Sequence, residues 1–471
     1  MKSKIMLFAA FAAVAVHAEP YFERDYSLID PAAVMGFIDA TEGIGLNIHS
    51  FMVVKDGKVA AEATWAPYHE NELTSLYSLT KPLVSLAAGF AIQDGKISLD
   101  DPVINYFPND IPDFPQEYVA QIRFRDLLSM ESGHAVDEFY LNAPEGVSVA
   151  RHFFTQEIKH QPGTFFKYHY TSDIAAKTIA RAVGMSLEEY IKEKLFTPLD
   201  ITEYTWERDK DGDTTGGSGL ALKLEDIAKI GQFCLQQGEW NGEQLLTKEW
   251  FAVATANHAD VPWATQDWKN YGFHFWPDSY GNFRGDGMGG QFMIVMRDRN
   301  TVVIITECVY PLPTQTVYDL AYLTLGAGAK GNYSVRNKVS PEELAERIAS
   351  LKVPEKASLE RDGAIGESIA GISEDGDKMS FSFTENSVTV HVDGQSVLFP
   401  LDKWNHTPLA DSEPESTFRG NFWARAAWTA PRELTLFTYA NPLENTIRCT
   451  FGDDEFTFVT PRKTTVYKTG Q

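Results

Sequence analysis

Apolar residues recur at helical spacing just downstream of residue 80, where Leu83, Val84, Leu86, Ala87, Phe90 and Ala91 leave little room for a polar face, so a largely buried helix is expected there. Pro82 lacks an N–H and is tolerated only in a first helical turn, which places the helix start near Ser78, and Gly95 ends it. Upstream, 31–40 reads as a helix, and 46–54 and 58–64 form a hairpin around an Asp56-Gly57 turn. Residues 124–130 read as a helix, and a polar and aromatic loop over 161–173 enters another that ends near Val183. Ser186 with Glu189 makes a capping box, and 224–237 is amphipathic. A second hairpin is expected from 291–296 and 301–306, turning at Asp298-Arg299-Asn300.

Ser340-Pro341-Glu342-Glu343 is a helix start, and beyond that helix the period changes to two. Short alternating stretches at 379–384, 387–392, 397–401, 422–428, 434–439, 446–451 and 455–459 predict a small antiparallel barrel or sandwich. The expected class is therefore α+β, with an antiparallel sheet flanked by helices followed by an all-β domain. The divisions are 1–18, 19–335 and 336–471, and a chain of 471 residues is long enough for two cores.

Composition changes that picture at three points. Lys2 and Lys4, the apolar run 5–16 and Val16-His17-Ala18 read as a secretory signal cut after Ala18, which implies a periplasmic or secreted product. That run is too short to span a membrane. The formal charge is −24, and without residues 1–18 the remaining 39 basic and 65 acidic residues give −26, a surface that disfavours nucleic acid and anionic membrane as partners. Cys234, Cys308 and Cys449 are far apart and odd in number, so free thiols are expected rather than a disulfide framework. Oligomeric state is left open.

Candidate chemistry begins at Ser78-Leu79-Thr80-Lys81. Three residues apart on a helix, Ser78 and Lys81 share a face, and a serine hydroxyl becomes a nucleophile when an adjacent base takes its proton. Asp137 and Glu138 lie in a loop of carboxylates and aromatics suited to lining a cleft. Gly285-Asp286-Gly287-Met288-Gly289-Gly290 spells the dinucleotide fingerprint but leads into a hairpin rather than a helix, so nucleotide binding is rejected. Glycines entering a strand instead let main-chain N–H groups approach a ligand. Asp209-Lys210-Asp211-Gly212-Asp213 begins like a calcium loop, but Thr214 and Leu220 occupy the positions of its glycine and closing glutamate, so it reads as a solvated turn. No metal-binding spacing and no Gly-x-Ser-x-Gly elbow occurs, and no cofactor is implied.

Taken in order, Ser78-x-x-Lys81, Pro162-Gly163-Thr164 leading to Tyr168, and Gly289-Gly290-Gln291 entering a strand resemble the penicilloyl serine hydrolases. Within them the chain looks most like the class C β-lactamase group, with its family VIII carboxylesterases, D-aminopeptidases and 6-aminohexanoate-dimer hydrolases. Supporting stretches are Val53-Val54-Lys55-Asp56-Gly57, Leu99-Asp100-Asp101-Pro102-Val103, 127–133 and Gly219-Leu220-Ala221, so the resemblance covers about 45–325. It implies a β-lactamase/transpeptidase-like fold and an acyl-enzyme on Ser78, with Lys81 as base and Tyr168 as general acid and base. Spacing from Pro162 favours Tyr168, while Tyr170-Thr171-Ser172 is a second register and leaves Tyr170 as an alternative or a substrate contact. Backbone N–H groups of Ser78 and Gln291 are the expected oxyanion donors, and Met288, Gly289 and Gly290 the expected substrate contacts. Met288 stands where relatives carry Lys or His to meet a substrate carboxylate, which points to esters and uncharged amides. A β-lactamase or D-amino-acid peptidase, or a non-catalytic binder of peptides or cell-wall fragments, are the competing readings; each has a small molecule or peptide as partner.

Overall fold

The structure, a computed structural model, describes residues 21–113, 115–135, 143–264, 269–308, 314–331, 338–353, 358–392, 394–409, 418, 420–440, 443–460 and 463–469. The expected leader, Asp137 and Glu138 lie outside them.

A central sheet is built from β1 (Ile48–Lys55), β2 (Lys58–Thr64), β3 (Phe283–Gly287), β4 (Gln291–Met296) and β5 (Thr301–Glu307), in the order β3-β4-β5-β1-β2. A two-residue strand, Trp276–Pro277, extends it beyond β3, and every pairing is antiparallel. Alternation is hidden in β4 and β5 because both faces are covered. Met293, Val295, Val302 and Ile304 point to one core, and Phe292, Ile294, Met296, Val303 and Ile305 to the other. The first core is closed by α2 (Lys81–Gln93), α3 (Thr171–Val183) and α4 (Leu224–Leu235). The second is closed by α1 (Pro31–Gly43), the helical turns of 314–329 and α5 (Pro341–Ala349).

α2 begins where its sequence says it must. A short 3-10 turn, Tyr77–Thr80, runs directly into it, Pro82 sits in its first turn, and Gly95 follows its end with φ +66°. Residues Lys81 to Ala91 are all buried, so its first turn is held by packing on every side.

The carboxy-terminal region is one ten-stranded antiparallel sheet formed by 368–469. The strands at its two ends, Gln395–Pro400 and Asn405–Leu409, lie against each other, so the sheet closes into a barrel rather than a sandwich. Its interior is filled by Phe381, Phe399, Phe451, Phe456, Trp428 and Tyr467 among others. Strands Ser368–Ser373, Asn405–Leu409 and Thr464–Thr469 were not expected from the alternation. No helix among the described residues is long and apolar enough to cross a membrane. Cys234 and Cys449 are buried free thiols, and Cys308 is a half-buried one.

Candidate active site

The turn that carries Ser78 is fixed from both sides. Thr74 and Ser75 pair with Leu222 and Ala221, and the Leu76 N–H donates to the Leu220 carbonyl at 2.8 Å. Tyr77 then adopts φ +46°, a left-handed conformation that costs a non-glycine residue on the order of 1 kcal/mol and turns the next side chain away from the core. On the other side β3 presses close: a Cβ on Gly287 would sit 2.1 Å from the Leu76 carbonyl oxygen, so only glycine lets the strand lie along this turn.

Lys81, first residue of α2, reaches back along that face. Its Nζ lies 3.0 Å from Ser78 Oγ and donates to the Gly217 carbonyl at 2.7 Å. Burial pushes this amine down to about 8, against the opposing pull of Asp173 and then Asp286. No carboxylate is in salt-bridge contact with it among the described residues. An amine so placed is neutral in an appreciable fraction of molecules near neutral pH, which a surface lysine is not.

Both amino acids lie in a cleft of about 630 Å³ whose lining includes the rings of Tyr77, Tyr168, Tyr170, Trp263 and Trp276. Tyr168 lines it with its ring centroid 4.9 Å from Lys81 Nζ, stacked on Trp276 at 5.9 Å and edge-on to Tyr271 at 6.1 Å. Tyr170 also borders the cleft but is only 2 % exposed; it precedes α3 and packs against the Phe153 and His169 rings. Of the two tyrosines left open by the sequence, Tyr168 is the one that meets the lysine. Trp263 and Met288, 63 % and 42 % exposed, stand at the mouth.

The glycine-rich hairpin departs from expectation. Its cleft-facing residues are Asp286, Gly287 and Met288, whereas Gly289, Gly290 and Gln291 do not line the cleft. Gly289 and Gly290 form the β3–β4 turn with φ +82° and +104°, and a Cβ on Gly290 would overlap the buried Glu307 side chain at 2.0 Å. Gln291 is fully buried, paired with Gly287 across the hairpin, and its side-chain N–H donates to the Glu307 carbonyl at 2.8 Å. The reason is register: β3, which precedes the glycines, lies tightest along the turn that carries Ser78, and β4, which follows them, touches that turn less. Gly289, Gly290 and Gln291 therefore support the turn and lie outside the lining of the cleft.

Three side chains absent from the sequence-derived set belong to this place. Asp286, on β3, borders the cleft with its Oδ2 held at 3.0 Å by the Nε of buried Arg284. Asp173, in the first turn of α3, accepts from the Gly216 and Gly217 N–H groups at 2.7 and 2.8 Å. His274, buried at φ +61°, has its imidazole pushed well below its usual range by burial and then by Lys81. No spacing rule links these positions to Ser78, so only the fold brings them together.

The Asp209–Asp213 loop is not a plain solvated turn. Its carboxylates close on the Nζ of buried Lys177, at 2.6 Å from Asp209, 2.5 Å from Asp213 and 3.5 Å from Asp211. The cation that such a loop would seek is supplied by α3.

A serine beside a buried lysine, at the start of a helix packed on an antiparallel sheet, is the arrangement of β-lactamase-fold serine hydrolases. Residues 45–317 match the model of the Beta-lactamase family, and the chain belongs to that family. It is similar to a 6-aminohexanoate-dimer hydrolase of Paenarthrobacter ureafaciens, 23 % identical over 56 % of this chain and 73 % of that protein. It also resembles esterase EstB of Burkholderia gladioli, 24 % identical over 29 % of this chain and 39 % of the relative. Among solved structures, the octameric penicillin-binding protein homologue from Pyrococcus abyssi covers 92 % of this chain and 99 % of its own, with TM-score 0.51 and 17 % identity, a likeness of fold.

Proposed function

We propose that this protein hydrolyses an ester or an uncharged amide through an acyl-enzyme on Ser78. The observation that carries the reading is the Lys81 amine, buried, depressed to about 8 and 3.0 Å from the Ser78 hydroxyl at a cleft. Neutral Lys81 takes the Ser78 proton as Oγ bonds to the substrate carbonyl carbon. Negative charge then collects on the carbonyl oxygen. The Ser78 N–H and, in place of Gln291, the N–H of Met288 at the cleft end of β3 are assigned as its donors. When the tetrahedral species collapses, the bond to the leaving oxygen or nitrogen breaks, and the proton passes from Lys81 by way of the Tyr168 hydroxyl to the leaving group. Water repeats the sequence on the acyl-enzyme and frees Ser78.

Ester or neutral amide is favoured over a β-lactam by Asp286 and Met288. Both line the cleft beside Ser78 on its β3 side, where an anionic substrate would need a cation; the lysine of the lining other than Lys81 is Lys167, on the loop that carries Tyr168. The relatives' printed activities, hydrolysis of a 6-aminohexanoate dimer and of esters, agree with this class of bond. The test combines turnover of a p-nitrophenyl ester with labelling by a fluorophosphonate. Expected are an adduct mapped by mass spectrometry to Ser78, loss of turnover in Ser78→Ala, and little turnover of nitrocefin. Full esterase activity in Ser78→Ala removes Ser78 from the mechanism, and a protein with neither turnover nor adduct is a binder.

A further inference from the structure

We propose that Asp173 is the positioning residue of this site: its carboxylate clamps the Gly216 and Gly217 N–H groups, and the Gly217 carbonyl that follows them holds the Lys81 amine against the Ser78 hydroxyl. The inference rests on Lys81 acting as the base.

Each link is a contact in the structure. Asp173 Oδ1 accepts from two consecutive N–H groups, at 2.7 Å from Gly216 and 2.8 Å from Gly217. The Gly217 carbonyl, on the far side of the same short segment, accepts from Lys81 Nζ at 2.7 Å. One acceptor atom gathering two successive amides fixes the orientation of the peptide that follows, because neither amide can turn without breaking a charge-assisted hydrogen bond. A Cβ on Gly216 would sit 2.3 Å from the Ser172 carbonyl oxygen, so the segment lies directly on the first turn of α3. The rest of the segment is tied down independently: Thr215 Oγ1 donates to the Ser218 carbonyl at 2.7 Å, and the Thr215 N–H donates to the Glu207 carbonyl at 3.1 Å. Asp173 itself is fixed in the first turn of α3.

A lysine side chain has four rotatable bonds, and burial alone gives its amine no reason to stop beside a particular hydroxyl. The Gly217 carbonyl supplies that reason, and Asp173 fixes the carbonyl. The same carboxylate acts on the amine through space, since after burial it is the larger of the two influences that favour the protonated form, ahead of Asp286. The charged or titratable groups around the amine are thus Asp173 from α3, Asp286 from β3, the Tyr168 ring from the loop before α3 and His274.

Geometry and charge separate in two variants of the full chain, assayed with a p-nitrophenyl ester. Asp173→Asn keeps an oxygen able to accept both N–H groups while removing the charge. It is expected to retain kcat within about tenfold, and its acid limb moves to lower pH because the protonated amine has lost a stabilising neighbour. Asp173→Ala releases the peptide, and kcat falls about 100-fold with KM changed less than about threefold, the signature of a displaced base rather than lost binding. The proposal is overturned if Asp173→Ala keeps kcat within twofold of the parent, or if the Asn variant leaves the acid limb unmoved or shifts it upward. Should Asp173→Ala fail to fold, the near-isosteric Asn variant decides by its pH profile. An active Ser78→Ala variant would instead defeat the underlying assignment of function, so the two failures are distinct.

Discussion

Two buried lysines, one opening α2 and one within α3, have opposite fates. Lys81, 6 % exposed, is offered one hydroxyl and one carbonyl and has its carboxylates beyond contact, so burial prevails and the amine is driven down to about 8. Lys177 is 2 % exposed, and burial pushes it the same way, but Asp209 and Asp213 at 2.6 and 2.5 Å more than offset that, leaving it raised. Both are lysines, and both are at most 6 % exposed. What differs is whether negative charge touches the amine. A lysine clasped by carboxylates is locked in its charged form and serves the fold, whereas one given only neutral acceptors can lose its proton and serve chemistry.

Removing each amine tests that distinction most directly. Lys81→Met is expected to lower kcat/KM for a p-nitrophenyl ester by about 10²–10⁴-fold while leaving the thermal midpoint unchanged or higher, since a desolvated amine is replaced by an apolar chain of similar length. In the parent, kcat/KM is expected to fall about tenfold per pH unit below about pH 8, because the fraction of neutral Lys81 falls at that rate. A flat profile between pH 6 and 8 would mean that Lys81 does not titrate in the step observed. Lys177→Met should do the reverse: about 2–4 kcal/mol of stability lost in urea unfolding, with activity per folded molecule unchanged. That figure sits near the lower end for a broken buried ion pair because Asp213 is 42 % exposed and recovers water. Loss of activity without loss of stability in Lys177→Met would erase the contrast.

Sequence pattern reached the lysine of the candidate site and misjudged the structural one, for a physical reason. Ser78 and Lys81 are three residues apart on one turn, so their meeting is local geometry that a helix start and Pro82 announce. Lys177 meets Asp209, Asp211 and Asp213 across more than thirty residues of chain, and nothing in an acidic loop names the cation that will enter it. The same divide runs through the fold. The hairpin of β1 and β2, the hairpin of β4 and β5 and the capping boxes at Ser186 and Ser340 are short-range and were legible. β3 was not, because Phe283-Arg284-Gly285-Asp286-Gly287 alternates glycine with charge and has no apolar face to detect. It is a strand because it fits between β4 and the Leu76–Pro82 turn, and missing it moved the expected ligand contacts past the turn to Gly289, Gly290 and Gln291. Two of the unexpected barrel strands, Ser368–Ser373 and Thr464–Thr469, bury too few of their residues to print a pattern.

A third buried ionisable group, whose carboxyl has no hydrogen-bond partner among the described residues, completes the comparison. Glu307, at the end of β5, is fully buried behind the Gly289-Gly290 turn, and neither carboxyl oxygen has a hydrogen-bond partner among the described residues. Burial alone raises it well above the usual carboxylate range, so the folded protein keeps this proton to a higher pH than the unfolded chain does. The sign of the consequence follows from proton counting. The unfolded chain releases this proton near pH 4.3 and the native state keeps it, so the native state binds more protons above that pH, and stability falls as pH rises until the folded value is passed. Glu307→Gln keeps the shape and removes the proton, so the variant should match the parent at pH 4 and exceed it progressively above pH 5. The gain at pH 7 is expected to reach about 1 kcal/mol, less than linkage alone would allow because the amide introduces N–H donors that also lack partners. Urea unfolding of both proteins at pH 4, 5.5 and 7 reads the difference directly. A difference that stays constant across the three would show that Glu307 keeps an ordinary carboxylate affinity, and that burial without a partner does not by itself decide the protonation of a side chain in this protein.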